Sequence, residues 1–459
     1  SNLGDLGTGD TVLVVASDLY NEAPIWHLRL KAAAQRGATL IVANARATKL
    51  DEYATFVIRY SYGDEVETTK GLRTKDKVGA AIENANNLVV FYGSDGLGLA
   101  GTSALAEACV ELLSGSPVSQ LTAQPNNRTT EQLENRTTGK PNNGLIGVWN
   151  TPNQQGALEM GFAPCNDLAA EFKDKTVYIV AADPAGDDPA LAEALKSAKC
   201  VIVQDILETE TTRLAEACPE ARGIVLPAAA YTEREGTFTS GERRVQRFYP
   251  AVPARPGTKA DFALIAEIAE KCGIELEGRS PLLVMNQIAA SEPTFSAITY
   301  AKLAEVTEQW PIIGRSDLYY GGTGYENKLG LGVTLAHDSR MLNVERLTFN
   351  VLRPKEDELF AVPITKLYDN GTTVAPAKLL SAHIDRFNGI VLNPATALKL
   401  GLENGSQAQV SLNGVSYPTK VLLDESISTG VILIPRSFGI PIKEPVAVTL
   451  TAVEKAQEA

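Results

Sequence analysis

Cysteine is sparse in this 459-residue sequence: Cys109, Cys165, Cys200, Cys218 and Cys272 are the only five. No two are close enough for a CxxC cluster, a zinc ribbon or a dense disulfide framework within these residues. Histidine is scarcer still, with His27, His337 and His383 alone, so a His-rich metal site is excluded and each reads as structural. Positive charge is also short: 42 basic residues face 55 acidic ones, leaving −13 and a pI near 5.0. That balance argues against a nucleic-acid partner. No apolar run approaches the roughly 18 residues that begin to cross a bilayer. The chain opens Ser1-Asn2-Leu3-Gly4, without the basic and apolar regions of a signal peptide. The expectation is a reducing compartment with no direct membrane insertion. Because no Met begins the chain, processing or further upstream sequence is expected.

What is present is ordinary globular composition, 44% hydrophobic and 21% charged, in a length that suits about three domains of roughly 150 residues. Thr11-Val-Leu-Val-Val-Ala16 is a buried-strand run, and it breaks at residues 17–22. Pro24 suits a first helical turn, and the helix it opens stops at Gly37. Leu40–Ala43 is the next strand. Strand, helix and strand make a right-handed βαβ unit with parallel pairing. A helix near 75–86, the strand Leu88–Tyr92 and a helix over 102–113 continue the pattern. Residues 114–143 lose all apolar period and read as a long surface loop. The sequons at Asn127 and Asn135 inside it read as coincidence.

The pattern then returns, with a strand over 176–182, a helix over 190–199 and a strand over 200–203. Val-Ala-Ser-Asp18 lies on Val-Ala-Ala-Asp183, and each aspartate precedes a helix-opening proline, Pro24 and Pro189. Two pseudo-symmetric βαβ halves of this kind bind ligands at the carboxyl ends of their strands. From about Leu335 the period changes to alternating strands, 407–412, 415–423, 431–435 and 446–450, with one short helix over 394–400. Asn413-Gly414 is a two-residue hairpin signal. The expected architecture is α/β: residues 1–165 and 166–334 as Rossmann-like halves, and 335–459 as a β-barrel-like domain.

Asp18 and Asp183, with Asn44, Gln204 and Asp205 at the neighbouring strand ends, are placed to accept hydrogen bonds from a ribose or a guanine edge beside a helix N-terminus. Helix capping is their alternative role. Neither half carries GxGxxG or GxxxxGK[ST], which excludes ordinary NAD-binding and P-loop readings. Gly93-Ser-Asp-Gly-Leu-Gly98 could expose backbone N–H groups to an anion. The segment from Tyr231 to Arg247 crowds Glu233, Arg234, Glu235, Glu242, Arg243, Arg244, Gln246 and Arg247 around two glycines. It reads either as a salt-bridged loop or as a polar wall facing a cofactor or partner. No residue set offers a nucleophile, an acid–base pair or metal-ligand spacing.

Several blocks together resemble the molybdopterin oxidoreductases. They are Asp10–Val15 through Asn21–Leu30, Arg36–Arg46, Val90–Leu97, Asn143–Trp149 with Asn153–Gly156, Ala182–Asp188 and Glu233–Gln246. The tail, Gly389–Pro394 and Leu423–Phe438, is similar to the double-psi β-barrel that closes such proteins. More narrowly, the blocks look like the large iron–sulfur subunit of bacterial NADH:quinone oxidoreductase, respiratory complex I.

In this superfamily two pterin guanine dinucleotides hold molybdenum or tungsten between the halves. The resemblance implies Ser17, Asp18, Asn44, Arg46 and Gly93 on one dinucleotide, Asp183, Gln204 and Asp205 on the other, and Gly236, Thr237 and Arg243 in the loop between. Likeness to complex I implies a vestigial cleft without the cofactor, a scaffold role and no catalytic residues of its own. It further implies iron–sulfur clusters in a missing N-terminal portion or neighbouring subunits. The expected partners are the NADH/FMN-binding and iron–sulfur subunits of the peripheral arm, at the cytoplasmic face of the inner membrane. The alternative is an active molybdopterin guanine dinucleotide oxidoreductase of formate-dehydrogenase type.

Overall fold

The computed structural model describes residues 3–115, 143–165, 167–219, 222–303, 332–336, 353, 358–368, 374, 376–384, 388–436 and 438–453. Apart from its end residues, the expected surface loop at 114–143 lies outside these, as do both sequons and His337. The chain forms two compact units, residues 1–150 with 345–459, and residues 151–344.

In the first unit, β1 (Thr11–Val15), β2 (Thr39–Ala43), β3 (Phe56–Ile58), β4 (Leu88–Tyr92) and β5 (Gly144–Gly147) form one parallel sheet in the order β3-β2-β1-β4-β5. β1 and β4 are buried along their whole length, which is why they read as unbroken apolar runs. α1 (Leu19–Glu22), α2 (Pro24–Gln35), α3 (Glu65–Gly71), α4 (Asp76–Glu83) and α5 (Leu99–Ser114) connect and flank the strands. Gly37 ends the α2 region at φ +94°, a conformation that a Cβ resists. Residues 19–22, expected as a break, form the single turn α1. β3, β5 and α3 escaped the sequence reading because each is short and carries little apolar period.

The strand order reverses between β1 and β4, since β2 and β3 lie to one side of β1 and β4 to the other. Such a switch point opens a crevice at the carboxyl ends of the two strands.

The barrel belongs to the same unit. β12 (Leu359–Ile364), β13 (Ile390–Leu392), β14 (Gln407–Leu412), β15 (Val415–Leu423), β16 (Val431–Pro435) and β17 (Val446–Ala452) close in the order β12-β16-β13-β15-β14-β17. Asn413 and Gly414 both take positive φ, +52° and +80°, as a tight β14–β15 turn of the primed kind demands. The expectation of one short helix here is corrected: Lys378–Ile384 is helical as well as Pro394–Lys399. Phe360, Val362 and Ile364 of β12 pack with Val431 and Leu433 of β16 and with Tyr62 from the sheet side, so the barrel and the first sheet share a core.

The second unit repeats the parallel arrangement on a smaller scale. β6 (Thr176–Val180), β7 (Cys200–Asp205) and β8 (Gly223–Pro227) pair in that order, with α-helical turns over Pro184–Asp187 and Pro189–Leu195 after β6. The charged segment at 231–247 is an antiparallel hairpin rather than a loop: β9 (Gly236–Thr239) pairs with β10 (Arg244–Phe248), and β11 (Val333–Thr334) adds to its edge. Among the described residues no helix is long and apolar enough to cross a membrane.

Candidate functional site

Both halves build the same corner at the end of their first strand. Ala16 and Ala181 take left-handed φ values of +48° and +51°. The amide N–H of Ala16 donates to Ala43 O at 3.1 Å, and that of Ala181 to Gln204 O at 2.9 Å. A left-handed alanine costs about 1–2 kcal/mol, and the same strain at matching positions marks a repeated device that aims the aspartate two residues on.

In the first half that aspartate enters an ionic cluster. Arg46, whose side chain is 11% exposed, donates from Nη1 to Asp18 Oδ2 at 3.0 Å and from Nη2 to Asp95 Oδ2 at 2.9 Å. Asn21 Nδ2 donates to Asp18 Oδ2 at 2.7 Å. Asn44 Nδ2 donates to Ser17 O at 3.2 Å and to Asp95 Oδ2 at 3.3 Å. The Ser17 hydroxyl donates to Glu22 Oε2, which also accepts the Asp18 amide at 3.1 Å. Thus Ser17, Asp18, Asn44 and Arg46 do come together at the switch point, with Gly93 beside them. A Cβ on Gly93 would strike Ala16 O and Ser17 Cβ, so glycine there permits close packing of the β4 end on the β1 end.

The electrostatics of this cluster follow from burial. Burial pushes the Glu22 carboxyl up to about 8, and the Asp95 charge adds to it, so Glu22 is largely protonated at neutral pH. Burial opposes the charge of Arg46, but Asp95 and Asp18 outweigh it and hold the guanidinium protonated. From the barrel side, burial lowers the Lys366 ammonium and the positive charge of Arg46 lowers it further. Burial likewise lowers Arg436, whose Nη2 donates to Ser94 O and Leu97 O, both at 3.2 Å.

Sequence reasoning missed Asp95 as a site residue, although it sits in the quoted glycine-rich turn, and missed Glu22, Lys366 and Arg436. The turn is filled by protein: a Cβ on Gly96 would meet the Tyr62 ring at 2.5 Å, and one on Gly98 would meet Glu444 Cβ at 2.6 Å. Six enclosed atoms here have no hydrogen-bond partner, namely Asp18 Oδ1, Asp95 Oδ1, Arg46 Nε, Arg436 Nε and the Tyr60 and Tyr62 hydroxyls beside Asp95. Each such atom costs about 1–3 kcal/mol, so their concentration at one strand end calls for a polar ligand. Two acceptors and two cationic donors fit a guanine or pterin edge carried with a phosphate.

The second half spends its aspartate differently. Asp183 Oδ1 accepts from Gly186 N at 3.2 Å and from Thr211 N and Oγ1 at 2.9 and 2.7 Å, which is a helix cap tied to the next helix. Gln204, fully buried, accepts from the Tyr178 hydroxyl and donates to Asp261 Oδ1 at 2.7 Å. Asp205 Oδ1 accepts from the amides of Ile206 and Leu207 at 2.6 and 3.4 Å. Burial raises the Asp205 carboxyl despite those bonds.

The charges of the hairpin are paired, with one another and with Glu159 and Asp261. Arg243, at φ +58°, makes a two-pronged contact with Glu159 at 2.6 and 2.9 Å and donates to Ala336 O at 3.2 Å. Arg247 pairs with Glu235 at 2.5 Å, and Arg234 with Asp261 at 2.9 Å. Gly236 lies against the Phe248 ring, and Thr237 faces Arg247 across the β9–β10 ladder. Among the described residues no group of three or more His, Cys, Asp or Glu could hold a metal ion.

Comparison with known proteins adds to this geometry. The F420-dependent formate dehydrogenase subunit alpha of Methanocaldococcus jannaschii is 30% identical over 61% of this chain and 41% of its own length. The NADPH-Fe(3+) oxidoreductase subunit alpha of Geobacter sulfurreducens is 25% identical over 93% of this chain and 53% of its own. The chain therefore spans about half or less of the length of these relatives. Acetylene hydratase from Pelobacter acetylenicus shares the fold, with a TM-score of 0.52 at 16% identity over 93% of this chain and 70% of its own. The two sequence relatives are named as a formate dehydrogenase subunit and an NADPH-Fe(3+) oxidoreductase subunit, which overturns the expectation of the complex I large subunit: blocks shared across a whole superfamily were assigned to one branch of it. Residues 1–271 match the molybdopterin oxidoreductase family, and the chain belongs to that family.

Proposed function

We propose that the chain is the dinucleotide-binding portion of a molybdopterin oxidoreductase of formate-dehydrogenase type. The observation that carries this reading is the cluster of unpaired, enclosed polar atoms at the β1–β4 switch point, on a chain whose relatives include formate dehydrogenase alpha subunits. A pterin guanine dinucleotide, when bound, supplies a molybdenum or tungsten centre able to take up the substrate's electron pair.

The chain's own residues bind and orient. Asp18 and Asp95 accept N–H groups of the heterocycle, Arg46 and Arg436 offer N–H donors to phosphate, and Asn44 fixes the Asp95 carboxylate. Glu22 stays protonated at neutral pH and so keeps a third negative charge away from that phosphate. The shared core of Tyr62 and the barrel excludes water from the same end of the sheet.

NADPH is the second donor to consider, because the NADPH-Fe(3+) oxidoreductase alpha subunit aligns with 93% of the chain. The test is dye reduction by the full-length subunit, purified from a host that makes the pterin cofactor, with formate or NADPH as donor. Formate-dependent reduction that tracks the molybdenum or tungsten content is expected. Reduction with NADPH alone would transfer the assignment to the second donor, and none with either would refute it.

A further inference from the structure

The Arg46 guanidinium is a planar N–C–N fork that gives one N–H to Asp18 Oδ2 and another to Asp95 Oδ2. The adjacent ring N–H and amino group of guanine, which pterin shares, form the same kind of planar fork and seek the same carboxylate acceptors. An ion pair kept only for stability would be expected to satisfy its enclosed polar atoms. This one leaves Asp18 Oδ1, Asp95 Oδ1 and Arg46 Nε without partners. Lys366 and Arg436 bring two more positive charges from the barrel to the same place.

We propose that Arg46 is a built-in stand-in for the amino-pyrimidinone edge of guanine or pterin: it occupies Asp18 and Asp95 until such a ring displaces it. The inference rests on the function proposed above and adds a competition within the site. On displacement, the freed guanidinium swings toward the phosphate of the incoming nucleotide, the ring N–H groups replace its hydrogen bonds to the carboxylates, and the charge of Arg436 remains beside Asp95. No bond is made or broken, and the exchange is of hydrogen bonds alone.

The chain from a cofactor-deficient host is titrated calorimetrically with guanosine, pterin and GDP, as wild type, Arg46→Ala and Arg46→Gln. Removing the stand-in is expected to tighten guanosine or pterin binding at least about tenfold. GDP should gain less, because the same change removes a phosphate partner. Asp95→Asn in the Arg46→Ala background should reverse the gain. In the wild-type chain, guanosine or pterin should speed modification of Arg46 by phenylglyoxal, a readout that needs no variant to fold. A stronger response to guanosine than to pterin assigns the site to the guanine end, and the reverse assigns it to the pterin end.

Unchanged or weaker binding by both variants overturns the proposal, as does an Arg46 modification rate that neither ring alters, whether or not binding is detected. These readouts are independent of dye reduction. A loss of formate activity with the guanosine response intact would refute the reaction assigned above and leave the competition standing.

Discussion

The two half-sites share a backbone and differ in what their side chains do with it. Ala16 and Ala181 adopt the same left-handed turn and make the same strand-to-strand hydrogen bond. Asp18 then joins a buried cation and a second carboxylate, whereas Asp183 caps a helix and ties it to Thr211. Position in the fold thus decides only where a carboxylate stands. Its duty is set by what stands beside it: Arg46 and Asp95, beyond two strand ends, in one half, and Thr211 of the helix Glu210–Glu216 in the other.

Removing the central partner from each half should break this symmetry most visibly. Arg46→Ala leaves two buried carboxylates facing each other and should cost about 3–5 kcal/mol in urea denaturation. The cost should shrink when Asp95→Asn is added to the same variant.

A smaller effect follows from Glu22. Its carboxyl is raised from 4.5 to about 8 in the folded chain, so its contribution to stability is complete below pH 4.5 and is lost as pH rises through 8. The loss should reach about 3 kcal/mol by neutral pH, since each pH step above the ordinary carboxylate value costs about 1.4 kcal/mol. Glu22→Gln should flatten the fall in thermal midpoint across that window, and an unchanged profile would remove Glu22 as its source.

In the second half, Asp183→Ala should cost only about 1 kcal/mol in urea denaturation, the worth of a cap. The smallest effect probes what the halves share. Ala16→Gly and Ala181→Gly should each raise stability by about 0.5 kcal/mol, because relief of the left-handed turn outweighs the added freedom of the unfolded chain. Unequal gains would mean that the two corners are not equivalent.

The repeat itself was legible in the sequence, because buried parallel strands such as Thr11–Val15 and Leu88–Tyr92 carry unbroken apolar runs. The barrel was legible for a related reason, since half-buried strands alternate and Asn413-Gly414 punctuates them. Asp18 and Asn44 could be gathered from strand ends alone, and Arg46 from the family resemblance. Asp95 becomes their partner only through pairing of β1 with β4, and Lys366 and Arg436 only through packing of the barrel against the first sheet. Neither contact leaves a local signature. The hairpin at 236–248 was obscured because its charges, which suggested a loop, are spent on one another and on Glu159 and Asp261.

The most direct measurement is the guanosine nucleotide released by acid from the full-length subunit purified from a cofactor-producing host. A guanine dinucleotide portion should release it in stoichiometric amount, with molybdenum or tungsten in proportion. Protein that is folded yet free of both would contradict the proposed function.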